Sequence, residues 1–165
     1  MSFVCSVCGE VHEGLSAWAY RRPDPWLGLS DEQKAQGQCT DDLCCTPDGD
    51  FFVRAVLKLP LIGGPDPAFE FGVWGSLSET NFRKYIETFD ADDQSRIGSM
   101  FSFLSNEVRG FPDSFALKAT LHAQDGRKRP LMEIEPTDHP LAIAQRDGIA
   151  FSKVLDIIYH DEIRP

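Results

Sequence analysis

The chain has 165 residues and a formal net charge of −10. That is long enough to bury a core and too acidic for non-specific attraction to a phosphate backbone. Hydrophobic residues at 42% and charged residues at 25% are ordinary for a soluble globular protein, and no run approaches the ~20 apolar residues of a membrane span. Nucleic acid and membrane are therefore not expected partners, whereas a basic protein partner fits the charge.

The N-terminus, Met1-Ser2-Phe3-Val4-Cys5, lacks the basic start and long apolar core of a signal peptide, so a cytoplasmic location is expected. Cys5-Ser6-Val7-Cys8-Gly9 follows at once, with His12 just beyond. Two residues between the thiolates let both sulfurs reach one tetrahedral ion, and Gly9 relieves the backbone beneath it. Cys44 from a later polar loop, with His12, completes a Cys3His set; Cys39 and Cys45 are substitutes. Four protein ligands leave no open position, so the expected zinc is structural. Five cysteines cannot all pair within one chain, and in a reducing compartment a metal explains Cys5 and Cys8 better than disulfides. A thioredoxin-like redox role needs the motif at the start of a helix that follows a strand of a βαβ unit, and four residues are not expected to supply such a strand.

Ser30 with Gln33 forms a capping box that starts a short helix ending near Gly37. After the Pro47-Asp48-Gly49-Asp50 turn, Phe51 to Leu59 predicts a strand with Phe51, Val53, Ala55, Leu57 and Leu59 on one face and Arg54 and Lys58 on the other. A Gly/Pro loop leads to a second strand, Phe69 to Ser76, that pairs antiparallel with it. Ser78 opens a helix whose Phe82, Tyr85, Ile86 and Phe89 make one apolar stripe. Met100 to Leu104 reads as helix or irregular. Phe115, Leu117, Ala119 and Leu121 alternate as a strand, with Leu131 to Glu135 returning as a hairpin. Thr137-Asp138 caps a helix through about Arg146, Gly148 stops it, and a last helix near Ser152 carries Val154, Leu155, Ile157 and Ile158. The expected fold is one α+β domain: a small antiparallel sheet, helices packed on one face, and an N-terminal knuckle.

Other candidate residues carry weaker chemistry. Trp74 and Arg54 share the sheet face away from the core. Arg127-Lys128-Arg129-Pro130 reads as a solvated hairpin end, and His139 as a helix-start residue able to serve as base or ligand. No GxSxG, HExxH, P-loop or GxGxxG motif is present, nor a recognisable nucleophile–base pair.

Set together, Cys5-x-x-Cys8-Gly9-x-x-His12, Asp42-Leu43-Cys44, Phe51-Phe52-Val53-Arg54, Gly72 to Ser78, Arg129-Pro130, Asp138 to Leu141 and Gln145 to Ile149 resemble the uncharacterised bacterial domain of unknown function 2199 family. The resemblance implies that Cys5, Cys8, His12 and Cys44 act as a set. It also implies a shared surface of Arg54, Trp74, Arg129 and His139, and it names no activity. The expected function is binding rather than catalysis, for instance an immunity-type inhibitor of a basic protein. The alternatives are an enzyme or small-molecule binder using His139 with Arg54 and Arg129, or a Cys5/Cys8 redox sensor.

Overall fold

The computed structural model describes residues 2–4, 9–13 and 17–159, without the side chains of Phe3, His12 and Glu13. In chain order these are β1 (Ser2–Val4), β2 (Val11–Glu13), β3 (Trp18–Ala19), α1 (Asp24–Leu27), α2 (Asp31–Gln36), β4 (Gln38–Cys39), β5 (Leu43–Cys45), β6 (Phe51–Ile62) and β7 (Ala68–Leu77). Then come α3 (Glu79–Glu87), a 3-10 turn at Gln94–Ile97, β8 (Ser99–Phe103), β9 (Lys118–His122), β10 (Leu131–Ile134), α4 (Pro140–Asp147), β11 (Ile149–Ala150) and α5 (Phe151–Tyr159). The class is α+β. Among the described residues no helix is long and apolar enough to cross a membrane.

The sheet is built on β6 and β7, which pair antiparallel from Phe51↔Leu77 to Pro60↔Ala68. Along β6, Val53, Ala55, Leu57 and Leu59 are buried on one face, as the period-two pattern predicts. The strand order is β3-β7-β6-β10-β9-β8, and the sheet is mixed rather than antiparallel. β10 runs parallel to β6 through Leu131↔Val56, and β3 parallel to β7 through Trp18↔Phe71. That pairing joins segments far apart in sequence, and strand periodicity carries no information about it.

Met100 to Leu104 is a strand and its continuation, not a helix. Met100, Ser102 and Leu104 point inward while Phe101 and Phe103 stay exposed, stacked edge-on at 5.0 Å. Apolar residues in both phases of the alternation hide the period. The end of β8 curls back onto β7: Gly75 bridges Leu104, Ser105 N–H donates to Trp74 O at 2.8 Å, and Phe103 N–H donates to Ser76 Oγ at 2.9 Å. Phe115 is left 44% exposed before β9, and Ile86 47% exposed on α3, so neither belongs to the core expected of it.

Helix starts follow local chemistry. Ser30 and Gln33 exchange both bonds of the capping box. Ser78 Oγ accepts from Asn81 N–H at 3.2 Å. His139, one residue after the expected Thr137-Asp138 cap, is the residue that caps α4, and Gly148 ends that helix. α3, α4 and α5 contribute Phe82, Tyr85, Leu141, Val154 and Leu155 to the main core. A smaller cluster of Trp26, Cys44, Phe52 and Trp74 covers the opposite face of β6 and β7, with Trp26 coming from α1.

Candidate functional site

β6, β7, α3, the 3-10 turn and the loops before β5 and β10 line a cleft of about 670 Å³. Its walls carry the cations Lys58, Arg127, Lys128 and Arg129, the carboxylates Asp42, Glu70 and Asp90, and Tyr85. The loop is pinned from several sides. Val56 N–H donates to Pro130 O at 2.9 Å, Gln124 Nε2 donates to Arg129 O at 2.7 Å, and Gly126 N–H donates to Asp92 O at 2.9 Å. Arg127, at φ 58°, makes the left-handed step that turns the basic run toward the cleft.

Arg129 Nε donates to Asp42 Oδ1 at 2.9 Å, and this is the bond its guanidinium makes among the described residues. The two terminal nitrogens are thus available to a ligand oxygen, in the planar fork that suits carboxylate and phosphate. Lys58 lies 3.6 Å from Glu70, and Arg127 lies 3.3 Å from Asp92. Lys128 has no ion pair among the described residues. Burial pushes the Tyr85 phenol up, Asp42 adds to this, and Arg129 opposes it, so the hydroxyl stays protonated as a hydrogen-bond donor.

Arg54 stands behind Arg129 rather than in the cleft wall. Its guanidinium carbon lies 5.9 Å from the Trp74 ring centroid, and its Nη1 donates to Asp41 O at 3.3 Å. Its buried Nε has no acceptor among the described residues. Burial, and then the Arg129 cation, pull its pKa below the ordinary value, with Asp42 and Asp41 offsetting part of this. Arg54 remains a cation, since a guanidinium does not deprotonate in proteins. The Arg54 and Arg129 charges therefore reinforce one another toward an anion. Trp74 is fully buried beneath them, and its indole N–H donates to Tyr20 O at 3.0 Å.

His139 is not part of this group. Its Nδ1 accepts from Leu141 N–H at 3.0 Å, which leaves the proton on Nε2 to donate to Pro112 O at 3.0 Å. Nδ1 thus caps the start of α4, and Nε2 ties that start to the loop carrying Pro112. Of the expected surface, Arg54, Trp74 and Arg129 come together and His139 lies apart.

Of the expected metal residues, Cys5 and Cys8 lie outside the described residues, as does the His12 side chain. Gly9 has φ 77° and lies just before β2, which pairs with β1 through Val4↔Val11. Cys44 is fully buried beside Trp26, Phe52 and Trp74 and touches Cys39 across the β4–β5 pair. Burial first, and then that contact, push the Cys44 thiol up. Among the described residues no group of three His, Cys, Asp or Glu side chains could hold a metal.

Sequence patterns missed two groupings. Arg127 to Arg129 form the exposed end of the β9–β10 hairpin, as expected, and what the sequence does not reveal is that they also wall the cleft; a basic run in so acidic a chain is the available signal. A row across β8, β9 and β10 places Ser99 Oγ 3.1 Å from His122 Nδ1, and His122 Nε2 2.8 Å from Glu133 Oε2. Strand register, not sequence spacing, assembles it. The row lies open to solvent, with Glu133 64% exposed, and acyl transfer needs a shielded site with oxyanion donors.

Residues 4–149 match a family described as an uncharacterized protein conserved in bacteria (DUF2199). The chain belongs to the DUF2199 family. No curated protein and no solved structure matches it. Asp42, Arg54 and Arg129 of this DUF2199 chain come from three separate segments of the matched region, and the fold brings them to one place.

Proposed function

We propose that this DUF2199 protein binds a small anionic molecule, a carboxylate or a phosphate, in the cleft walled by Lys58, Lys128 and Arg129, without chemical turnover. What supports the reading is the convergence of Arg129, Asp42 and Arg54 from distant segments, with Arg129 keeping its terminal nitrogens available beside a protonated Tyr85. Asp42 orients the guanidinium through Nε, as a fixed carboxylate orients a ligand-binding arginine. A ligand oxygen then takes the Nη pair, and Lys128 supplies a cation with no ion-pair partner to displace among the described residues.

The expectation of a basic protein partner rests on net charge alone, and the cations of the cleft favour an anion instead. An enzyme using His139 has less support, because one ring nitrogen caps α4 and the other is bonded to Pro112 O. A zinc staple on Cys5, Cys8, His12 and Cys44 is a separate proposal. It is supported by the motif spacing and the left-handed Gly9, and elemental analysis of the purified chain tests it by giving one zinc per chain or none.

The binding reading is tested by thermal unfolding against a panel of carboxylates, phosphates, neutral compounds and amines. A subset of the anions should raise the midpoint of the wild-type chain and leave Arg129→Ala unmoved. Stabilisation by amines or neutral compounds alone, or equal shifts in Arg129→Ala, would overturn it.

A further inference from the structure

Cys39 and Cys44 face each other as register partners of the antiparallel β4–β5 pair. The next position toward the turn is closed by the bond from Thr40 N–H to Leu43 O at 2.7 Å. Hydrogen-bonded and non-hydrogen-bonded positions alternate along an antiparallel ladder, so Cys39 and Cys44 occupy a non-hydrogen-bonded position. There the Cα atoms approach to about 4.5 Å, with both side chains on the same face. A disulfide needs a Cα separation of roughly 4.4 to 6.8 Å. Both cysteines are free thiols, and Cys39 packs against the cluster that holds Cys44. Cys45 lies opposite Gln38 and packs against the main core, so it faces no thiol across the ladder.

We propose that Cys39 and Cys44 form a reversible cross-strand disulfide, with a small-molecule disulfide such as glutathione disulfide as the oxidant. Cys39, half-buried where Cys44 is fully buried, is the sulfur that meets the reagent. Its sulfur attacks the reagent's S–S bond, forms a mixed disulfide and releases one glutathione thiol. The Cys44 sulfur then attacks the Cys39 side of that bond and releases the second glutathione. The two cysteine protons end on the two departing thiols, and the two electrons lost by the cysteines reduce the reagent. Exchange of this kind is reversed by excess thiol.

The pair closes the base of a tight turn, Asp41-Asp42. Asp41 lies 3.5 Å from Arg22, and Asp42 accepts from Arg129 at 2.9 Å. The bond therefore fixes the segment that places the carboxylate of the cleft, and the modification site stands whether or not the cleft binds an anion.

The full chain, reduced and then held in glutathione disulfide, is quenched with an alkylating reagent and analysed by mass spectrometry. The intact mass should show two hydrogens lost. Cleavage before aspartate separates Cys39 from Cys44 in the sequence, so their fragments should stay joined until a reductant is added. Fragment-ion spectra then distinguish Cys44 from Cys45, and Cys45→Ser should behave like the wild type. A glutathione adduct persisting on Cys39, a bond mapped to Cys5 and Cys8 or to Cys45, or two separately alkylated thiols, as a zinc ion held through Cys44 would give, overturns the proposal.

Discussion

Arg129 and Asp42, 87 residues apart in the chain, are joined by an Nε–H···Oδ1 hydrogen bond of 2.9 Å at the cleft. Both side chains are partly exposed, and an ion pair in that setting contributes about 1 kcal/mol or less to stability. Arg129→Ala should therefore unfold within about 1 kcal/mol of wild type by urea titration. Its affinity for the anion that stabilises the wild type should fall at least about tenfold, equivalent to ~1.4 kcal/mol, by calorimetry. A large stability loss with binding intact would make the pair structural.

Asn106 holds the backbone around Trp74. Fully buried, its Oδ1 accepts from Trp74 N–H at 2.8 Å, while Nδ2 donates to Arg22 O at 2.9 Å and Asp24 Oδ1 at 3.0 Å. Asn106→Ala strands a buried N–H and should cost about 1–3 kcal/mol. Trp74→Ala, which opens a cavity as well, should cost about 3–5 kcal/mol. Denaturant midpoints of the two variants against wild type give the ranking.

Gly75 sits where the curled sheet closes. A Cβ added there would lie 2.5 Å from Ser102 Oγ, 3.0 Å from Met132 Cε and 3.2 Å from Leu121 Cδ1. Every one of those neighbours is buried, so the clash cannot relax into solvent. Gly75→Ala should destabilise by about 1–3 kcal/mol through overpacking. Gly49→Ala, at an exposed turn with φ 87° and open space around it, should show backbone strain without the clash. Thermal unfolding of the two variants separates these contributions.

Stability should fall at both ends of the pH range. Burial pushes the Tyr20 and Tyr85 phenols up. A raised folded pKa contributes stability that is fully present below the unfolded value, about 10, and is lost as pH rises through the folded one. For Glu107, burial alone would raise the carboxyl, but hydrogen bonds from Ser114 and from the Phe115 and Asp113 N–H groups together hold it below the usual carboxylate range. Its contribution is present above the ordinary value, about 4.3, and fades as pH falls through the depressed one. Urea midpoints stepped through pH should stay level between these limits. A fall beginning near neutrality would contradict the assignment.

Local chemistry made much of the fold legible. The Ser30–Gln33 capping box, the Phe51–Leu59 alternation and the stop at Gly148 depend on neighbours in the chain, and the structure follows them. Parallel pairing of β10 with β6, the return of β8 to β7 and the exposure of Phe115 depend on contacts between distant segments. The candidate site divides the same way. Arg54 and Trp74 share a face because strand geometry puts them there, whereas Arg129 joins Arg54 through the parallel β6–β10 pairing. His139 reads as a possible base until its two ring nitrogens are traced to Leu141 N–H and Pro112 O.

The most direct measurement is a nuclear magnetic resonance titration of the full chain with succinate and, separately, inorganic phosphate, following the arginine Nε–Hε resonances. Binding at the cleft should move Arg129 along a saturable curve, with Arg54 following and the exposed Arg83 and Arg146, neither of which lines the cleft, unmoved. Uniform, non-saturating shifts at every arginine, or an Arg129 resonance unchanged by both anions, would contradict the account.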